Sequence, residues 1–346
     1  MPRAGLHYPG SYGELRAWFP DDAACLDYLD WLRWPIGFVC PHCGGESSWE
    51  MADGVQRCAR CRRRVSRTAG TIFQDTRTPL TVWFAAAWQM VSQKHGISAL
   101  GLQRVLGLGS YQTAWAMLHR YRAAMVRLGR EQLGGLVEVD ETWVGGIEKG
   151  KHGRDTETKS LVAIAVEIKQ PKGFGRIRMQ RVAGITKESL MPFVTGAVEP
   201  GATVHSDGNQ AYWTVPDHGY QHKKTVLSRQ HDPAHVVMPG VHRVASLLKR
   251  WLLGTHQGMV SPEHLDAYLN EFTFRFNRRN SRSRGMLFFR LMQLAVAAPP
   301  VTYRQLVVNP QPKRARPTAP RGPRARPGSL AVPPAGRPWR QTNDLS

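Results

Sequence analysis

GGLVEVDETWVGG, residues 134–146, decides the architecture of the central part of the chain. Its alternation sets Glu138 and Asp140 on one side of a strand and Val137 and Val139 on the other. Glycines bound it, so Asp140 sits near the strand's end. Two further strand patterns follow, SLVAIAVEIK (160–169) and GRIRMQRVAGI (175–185), then a helical KESLMPFVTGAV (187–198). GATVHSDGNQAY (201–212) reads as a short strand running into Asp207 and Gly208. This β-β-β-α-β order predicts an α/β sheet that gathers Asp140 and Asp207 at one end. Taken singly, SDGNQAY is also an Asp-Gly turn and VEVDE a half-exposed strand end. Together, in a basic chain, they fit carboxylates that hold Mg²⁺ ions roughly 3.5–4 Å apart for phosphodiester chemistry.

VHRVASLLKRW (241–251) reads as one amphipathic helix in which Val244, Leu247, Leu248, Trp251 and Leu252 bury a face. His242 and Lys249 lie seven apart, nearly two turns, and share another face. There, His242 can complete a metal shell and Lys249 can meet a phosphate near the scissile bond. The plainer reading is a histidine that caps or packs and a lysine that faces solvent. Two rival acids follow. Glu263, just after the cap Ser261, favours a helix dipole. Glu271 stands beside the Leu265, Leu269, Phe272, Phe276 stripe.

The 346 residues include 47 Lys and Arg against 26 Asp and Glu, a formal charge of +21. Such a balance concentrates polyanions near the surface, so double-stranded DNA is the first partner to consider. No window holds the roughly 18–20 consecutive apolar residues of a spanning helix. The N-terminal MPRAGLHYPGSYGELRAWFP lacks a secretory apolar core. The expectation is a soluble, cytoplasmic, nucleoid-associated protein with no membrane partner.

CPHCGGESSWEMADGVQRCARC (40–61) places Cys40 and Cys43 two residues apart and Cys58 and Cys61 likewise. Two such knuckles converge tetrahedrally on one Zn²⁺, and four thiolates close its shell, so the zinc is structural. His42 lies inside the first knuckle, whose cysteines already supply the ligands. Arg62, Arg63, Arg64 and Arg67 follow on RRRVSRTAGTIF (62–73), a basic segment suited to DNA or simply to solvent. Cys25 stands alone on a helical pattern and reads as core.

PLTVWFAAAWQMVSQKHG (79–96) predicts a mostly buried helix. Ser98 and Ser110 cap two more, joined by GLG at 107–109. In the last of these, Ala114, Met117, Leu118, Tyr121, Met125 and Leu128 form the apolar stripe. Gln112, Arg120 and Arg122 fall outside it, and Gln and Arg are able to read base edges. The tail, QPKRARPTAPRGPRARPGSLAVPPAGRPWR (311–340), is dense in Pro and Arg and reads as disordered, either a basic arm or a dispensable extension.

From CPHC to RNSRSRGMLFFRL the chain resembles the insertion-sequence transposases of the DDE superfamily, in the branch with an N-terminal zinc ribbon. VEVDETWVGG, SDGNQAY, LLKRWLLGTH and EFTFRFNRR carry the resemblance. It implies a multidomain α+β chain with four parts. An N-terminal helix and zinc ribbon occupy 1–75, and a helix-turn-helix-like DNA-binding region 76–130. An RNase H-like, integrase-type α/β catalytic domain spans 131–305, and a disordered basic tail 306–346. It further implies binding of terminal inverted repeats, DNA cleavage and transfer of 3′ ends to target DNA. The cofactors are two Mg²⁺ or Mn²⁺ ions, and at least a homodimer assembles on DNA. Asp140 and Asp207 match the family's two aspartates. The usual third residue, Glu, is His242 here, with Lys249 seven residues on. An imidazole adds no negative charge and is softer than carboxylate, which favours Mn²⁺ over Mg²⁺. The alternatives are a non-catalytic DNA-binding protein (a regulator or a decayed copy) and a nuclease of the same fold that only hydrolyses.

Overall fold

The computed structural model describes residues 2–126, 129–146, 159–226, 234–258 and 260–307. The Pro/Arg-rich tail from residue 308 and the stripe residue Leu128 lie outside them.

Helices α1 (Tyr12–Trp18) and α2 (Asp22–Arg33) begin at Ser11 and Asp21, whose side chains accept from the amides of Glu14 and Ala24. Those contacts satisfy N–H groups that a helix start leaves without internal partners. Three short antiparallel strands follow in order, β1 (Ser48–Glu50), β2 (Gln56–Cys58) and β3 (Arg64–Val65), around a small core of Cys40, Cys58 and Val65. Next come α3 (Leu80–Ser92), α4 (Ala99–Leu106) and α5 (Tyr111–Ala124). Ser98 and Ser110 cap α4 and α5 as expected, and Gly107 turns the chain between them at φ +62°.

The central sheet is built from β4 (Leu136–Val144), β5 (Ser160–Ile168) and β6 (Phe174–Val182). Helix α6 (Lys187–Ala197) then crosses to β7 (Thr203–Asp207) and β8 (Gln221–Thr225). The spatial order is β6-β5-β4-β7-β8, with β4 antiparallel to β5 and parallel to β7. It is the RNase H-like arrangement that the resemblance implies. β8 has no counterpart in the sequence expectations. After it come α7 (Ala234–Val237), α8 (Pro239–His256), α9 (Leu265–Phe276), α10 (Arg284–Ala297) and α11 (Tyr303–Leu306).

The strict alternation of the strands separates two cores. Val137, Val139, Ala163, Ala165 and Val204 face α6 through Leu190 and Val194. Val162, Ile164, Val166 and Ile177 face the other way, onto Val241, Val244 and Leu248 of α8 and Leu269 and Phe272 of α9. Each fully buried aliphatic or aromatic side chain stabilises by about 1.5–3 kcal/mol, so α8 is held on the sheet by its whole apolar stripe. At the edge strand β6, the Asn277 side chain accepts from the Ile177 amide (2.7 Å) and donates to its carbonyl (3.1 Å).

A third core joins α2, α3 and α5 to α10: Trp83, Phe84, Met117 and Tyr121 pack with Phe288, Leu291 and Met292. α10 thus follows the sheet in the chain but belongs to the N-terminal helices in packing. Two arginines tie these helices to α9. Arg275 donates to the carbonyls of Met90, Gln93 and Lys94, the last at 2.9 Å, serving the C-terminal end of α3. Arg122 donates through Nε to Glu271 Oε2 at 2.9 Å, with side chains 1% and 0% exposed, and its guanidinium lies 4.1 Å from the Tyr268 ring centroid. The expectation that Arg122 contacts DNA is therefore corrected. α5 is covered by α3, α4, α9 and α10, so a position outside its main stripe is still interior. Glu271, the rival third acid, is committed to the same pair.

Removing one partner of a buried ion pair leaves the other uncompensated. Glu271→Ala is expected to cost about 3–5 kcal/mol in denaturant unfolding, and Arg122→Met with Glu271→Leu is expected to recover most of it. Equal loss in the single and double variants would show that the charges themselves are not what that site requires.

Candidate active site and metal centre

In the ribbon, both knuckles are built alike. Gly44 follows Cys43 at φ +69° and its amide donates to the Cys40 carbonyl at 2.9 Å. Arg62 follows Cys61 at φ +60° and its amide donates to the Cys58 carbonyl at 3.0 Å. The left-handed residue turns each loop back so that its two sulfurs point inward. Cys40 Sγ lies 3.7 Å from Cys61 Sγ, and Cys43 Sγ 3.6 Å from Cys58 Sγ. A tetrahedron with Zn–S bonds near 2.3 Å has edges of about 3.8 Å, which these two separations match. All four sulfurs lie within 4.8 Å of one another, and all five cysteines are free. Cys25 is fully buried in the helical core, as its pattern suggests.

In the sheet, β4 and β7 run parallel with Leu136 opposite Thr203, Val137 opposite Val204 and Glu138 opposite His205. Continued two residues beyond that pairing, the register would bring Asp140 alongside Asp207. Val137 and Val204 face α6, so Glu138, Asp140, His205 and Asp207 share the opposite face, the one α8 covers. Asp140 Oδ1 accepts from the Glu141 amide (2.8 Å) and Asp207 Oδ1 from the Asn209 amide (3.0 Å), the latter shaping the Asp-Gly turn. Beneath them Tyr212 is fully buried and donates to Glu141. Its phenol is held well above the usual range by burial first, then by the carboxylates of Glu141, Asp140 and Asp207. The strand ends thus carry a concentrated negative field. His205, 3% exposed and bonded to Thr225 Oγ1 at 2.8 Å, is pushed down to about 4 by burial and then by Lys223 and His222, so it adds no charge at neutral pH.

Glu138 does something the sequence did not disclose. Its Oε2 accepts from the amides of Gly240 (2.7 Å) and Val241 (3.0 Å), the free N–H groups at the start of α8. A carboxylate at a helix N-terminus is favoured by both the hydrogen bonds and the dipole. Burial raises the Glu138 pKa, and those two amides oppose the rise. The close approach requires Gly240, because a Cβ there would stand 2.7 Å from Ile168 Cδ1 and 2.8 Å from Glu138 Oε2. His242, half-buried, therefore enters the fold in the first turn of a helix pinned two residues from Asp140. Lys249 lies two turns on and is exposed. Its pKa is lowered by partial desolvation and then by the ammonium of Lys159, a second cation that the sequence reading passed over.

Among the described residues, the four cysteines are the only group of three or more His, Cys, Asp or Glu whose ligand atoms all lie within 4.8 Å of one another. Asp140, Asp207 and His242 do not close to that distance. Hard carboxylate oxygens suit Mg²⁺ and Mn²⁺, and a pair of ions roughly 3.5–4 Å apart does not demand ligands in mutual contact.

Of the residues expected to touch DNA, Arg62, Arg63, Arg64 and Gln112 are exposed. Arg62 lies 5.1 Å from the Trp49 ring centroid, Arg63 bonds His42, and Arg64 pairs with Asp53. Arg120 is half-buried and donates to the Val301 carbonyl at 2.8 Å. Arg67 is a correction. Its side chain, 12% exposed, is surrounded by Asp27 (2.9 Å), Asp30 (3.1 Å) and Glu50 (2.7 Å), which neutralise it and bind the ribbon to α2.

Two outcomes check these placements. The purified chain is expected to hold one zinc by atomic absorption and to lose it, with the ribbon's fold, in Cys58→Ala; full zinc content in that variant would exclude the four-thiol site. Gly240→Ala is expected to destabilise by about 1–3 kcal/mol through overpacking. Gly254→Ala, on the same helix with nothing within 4 Å of the added Cβ, is expected to stabilise by roughly 0.5–1 kcal/mol. Equal effects would show that α8 does not depend on contact with Glu138.

Three comparisons bear on the whole. Residues 132–277 match the ISXO2-like transposase domain family, and residues 20–64 the transposase zinc-ribbon domain family. An uncharacterized protein in transposable element ISH50 of Halobacterium salinarum is 26% identical over 277 residues, covering 74% of this chain and 91% of that one. The catalytic core domain of BIV integrase is a structural neighbour at 16% identity and TM-score 0.29, over 44% of this chain and 89% of the other. No helix among the described residues is long and apolar enough to cross a membrane. The chain thus carries, in succession, a transposase zinc-ribbon domain over residues 20–64 and an ISXO2-like transposase domain over residues 132–277.

Proposed function

We propose that the protein binds the terminal inverted repeats of an insertion sequence, cuts DNA there and joins the freed 3′ ends to target DNA. The observation that supports this reading is the parallel register of β4 and β7, which, continued two residues beyond Glu138 and His205, would bring Asp140 beside Asp207 on the face covered by α8. Asp140, Asp207 and His242 would hold Mg²⁺ or Mn²⁺, and such ions supply positive charge to both the attacking and the leaving oxygen of an in-line displacement. Two carboxylates and an imidazole bring less negative charge than three carboxylates, so the softer Mn²⁺ is favoured. Lys249, with Lys159 close by, offers an ammonium to the phosphate next to the reacting one.

The chemistry runs in two displacements at phosphorus. Water attacks first, breaking the P–O3′ bond and leaving a 3′-hydroxyl, whose oxygen takes a proton from solvent. That hydroxyl then attacks a target phosphodiester, loses its proton and releases the target's own 3′-oxygen, so the number of phosphodiester bonds is conserved. Arg62, Arg63, Arg64, Gln112 and Arg120 are the groups assigned to DNA contact. Two ends must be held together, so at least two chains act on one DNA.

The test is a labelled end fragment with plasmid target in Mg²⁺ or Mn²⁺. Asp140→Ala is expected to abolish joined product while binding persists, and His242→Ala to lose activity more severely in Mg²⁺ than in Mn²⁺. Binding without cutting by the unaltered chain in either metal would identify a regulator or a decayed copy. Cutting without joining would identify a hydrolytic nuclease.

A further inference from the structure

On the far side of the sheet from β8, an open cavity of about 620 Å³ lies where the edge strand β6, the end of α9, α10 and the segment after α5 meet. Arg130, Arg176, Arg178, Arg278 and Arg290 line it, against one acid, Glu131. None of Asp140, Asp207, His242 or Lys249 takes part.

The charges are unequally answered. Arg176 is paired with Glu167 at 2.6 Å and reaches Glu131 at 3.5 Å. Arg178 is 5% exposed, yet its guanidinium donates to the backbone carbonyls of Ile177 (3.0 Å) and Glu131, with no ion pair among the described residues. Arg290 is exposed and donates to the neutral Gln293 amide at 2.8 Å. Arg278 donates to the Phe274 carbonyl at 3.2 Å and lies over its ring at 4.0 Å. Arg130 is half-buried and forms no ion pair among the described residues. Burial, then Arg130 and Arg176, push the Arg178 pKa down to about 10, which still leaves it cationic at neutral pH. A partly desolvated group of like charges costs stability that a bound anion would offset. The planar guanidinium fork matches the oxygens of a phosphate better than any other side chain, and several forks on one wall suit a charge that extends beyond one carboxylate.

We propose that this cavity is a phosphate-binding site that takes the DNA backbone at a distance from the reacting strand ends, a second contact between the chain and its substrate. The proposal rests on the reading of the chain as a DNA transposase.

The experiment compares three full-length chains by fluorescence anisotropy on a labelled duplex across a salt series: the unaltered chain, Arg130→Gln with Arg290→Gln, and Arg3→Gln with Arg16→Gln. The last pair removes two exposed charges elsewhere. Among the described residues neither cavity residue in the double variant has a carboxylate partner, and circular dichroism and thermal melting check that the fold is kept. The cavity variant is expected to bind roughly 10- to 100-fold more weakly near 0.1 M salt, with the slope of log affinity against log salt reduced by about two. Pyrophosphate is expected to compete with duplex on the unaltered chain and to lose that effect in the cavity variant. Affinity and slope equal to those of the Arg3 and Arg16 control would overturn the proposal. So would pyrophosphate bound in the cavity and not displaced by duplex, which would assign it to a soluble phosphate compound. If the unaltered chain binds no DNA at all, the transposase reading falls and the cavity proposal with it. Normal binding by both double variants sinks the cavity proposal alone.

Discussion

The contact between the Glu138 carboxylate and the first amides of α8 organises the part of the molecule built on the five-stranded sheet. A strand and a helix separated by about a hundred residues have few ways to fix their mutual position, since apolar packing tolerates sliding. Hydrogen bonds of 2.7 and 3.0 Å to one oxygen do not. They register the helix against the strand that carries Asp140, and the glycine at 240 lets the backbone come close enough for both bonds to form. Everything that α8 presents to the sheet, Val241, Val244 and Leu248 among it, is thereby indexed to β4. The buried acid is tolerated because the helix end supplies the donors that water would otherwise provide.

A similar economy joins the helical part to the sheet. Arg275 of α9 takes the carbonyls at the end of α3, and Arg122 of α5 reaches Glu271 of α9 across the interface. α10 leaves the sheet and fills the core made by α2, α3 and α5. The helix bearing Gln112 and Arg120, α5, is therefore braced against the same helix that packs on β6, α9. A load applied to α5 reaches the sheet through these charged and packed contacts.

Much of this was legible in the residues themselves because the signals are local. The alternation around Val137 and Val139, the hydroxyls of Ser98 and Ser110, and the doubled cysteine spacing each act within a few positions, and each appears in the fold as read. What escaped notice depends on distant partners. Arg67 finds Asp27 across 40 residues, Arg122 finds Glu271 across 149, and Glu138 finds Gly240 across 102. No spacing within a segment encodes such pairs, so two arginines that look solvent-facing are interior. β8 was missed for a different reason. Gln221–Thr225 has no apolar alternation, because an edge strand with lysines outward buries little beyond Thr225. For the site, the strand pattern gave the common face of Glu138 and Asp140. The β4–β7 register, a matter of pairing, had to be seen.

The two borders of the sheet lead to a consequence for how copies of the chain can meet. At one border the Asn277 side chain has already spent the hydrogen-bonding capacity of Ile177, acting as a one-residue counterfeit strand. At the other, β8 exposes Lys223 and Lys224, and an identical border brought against it would meet its own charge. Lateral growth of the sheet into a second copy is thus obstructed at both ends, once by occupancy and once by repulsion. The repulsive border differs in being reversible, since a polyanion laid between two copies turns mutual aversion into shared attraction.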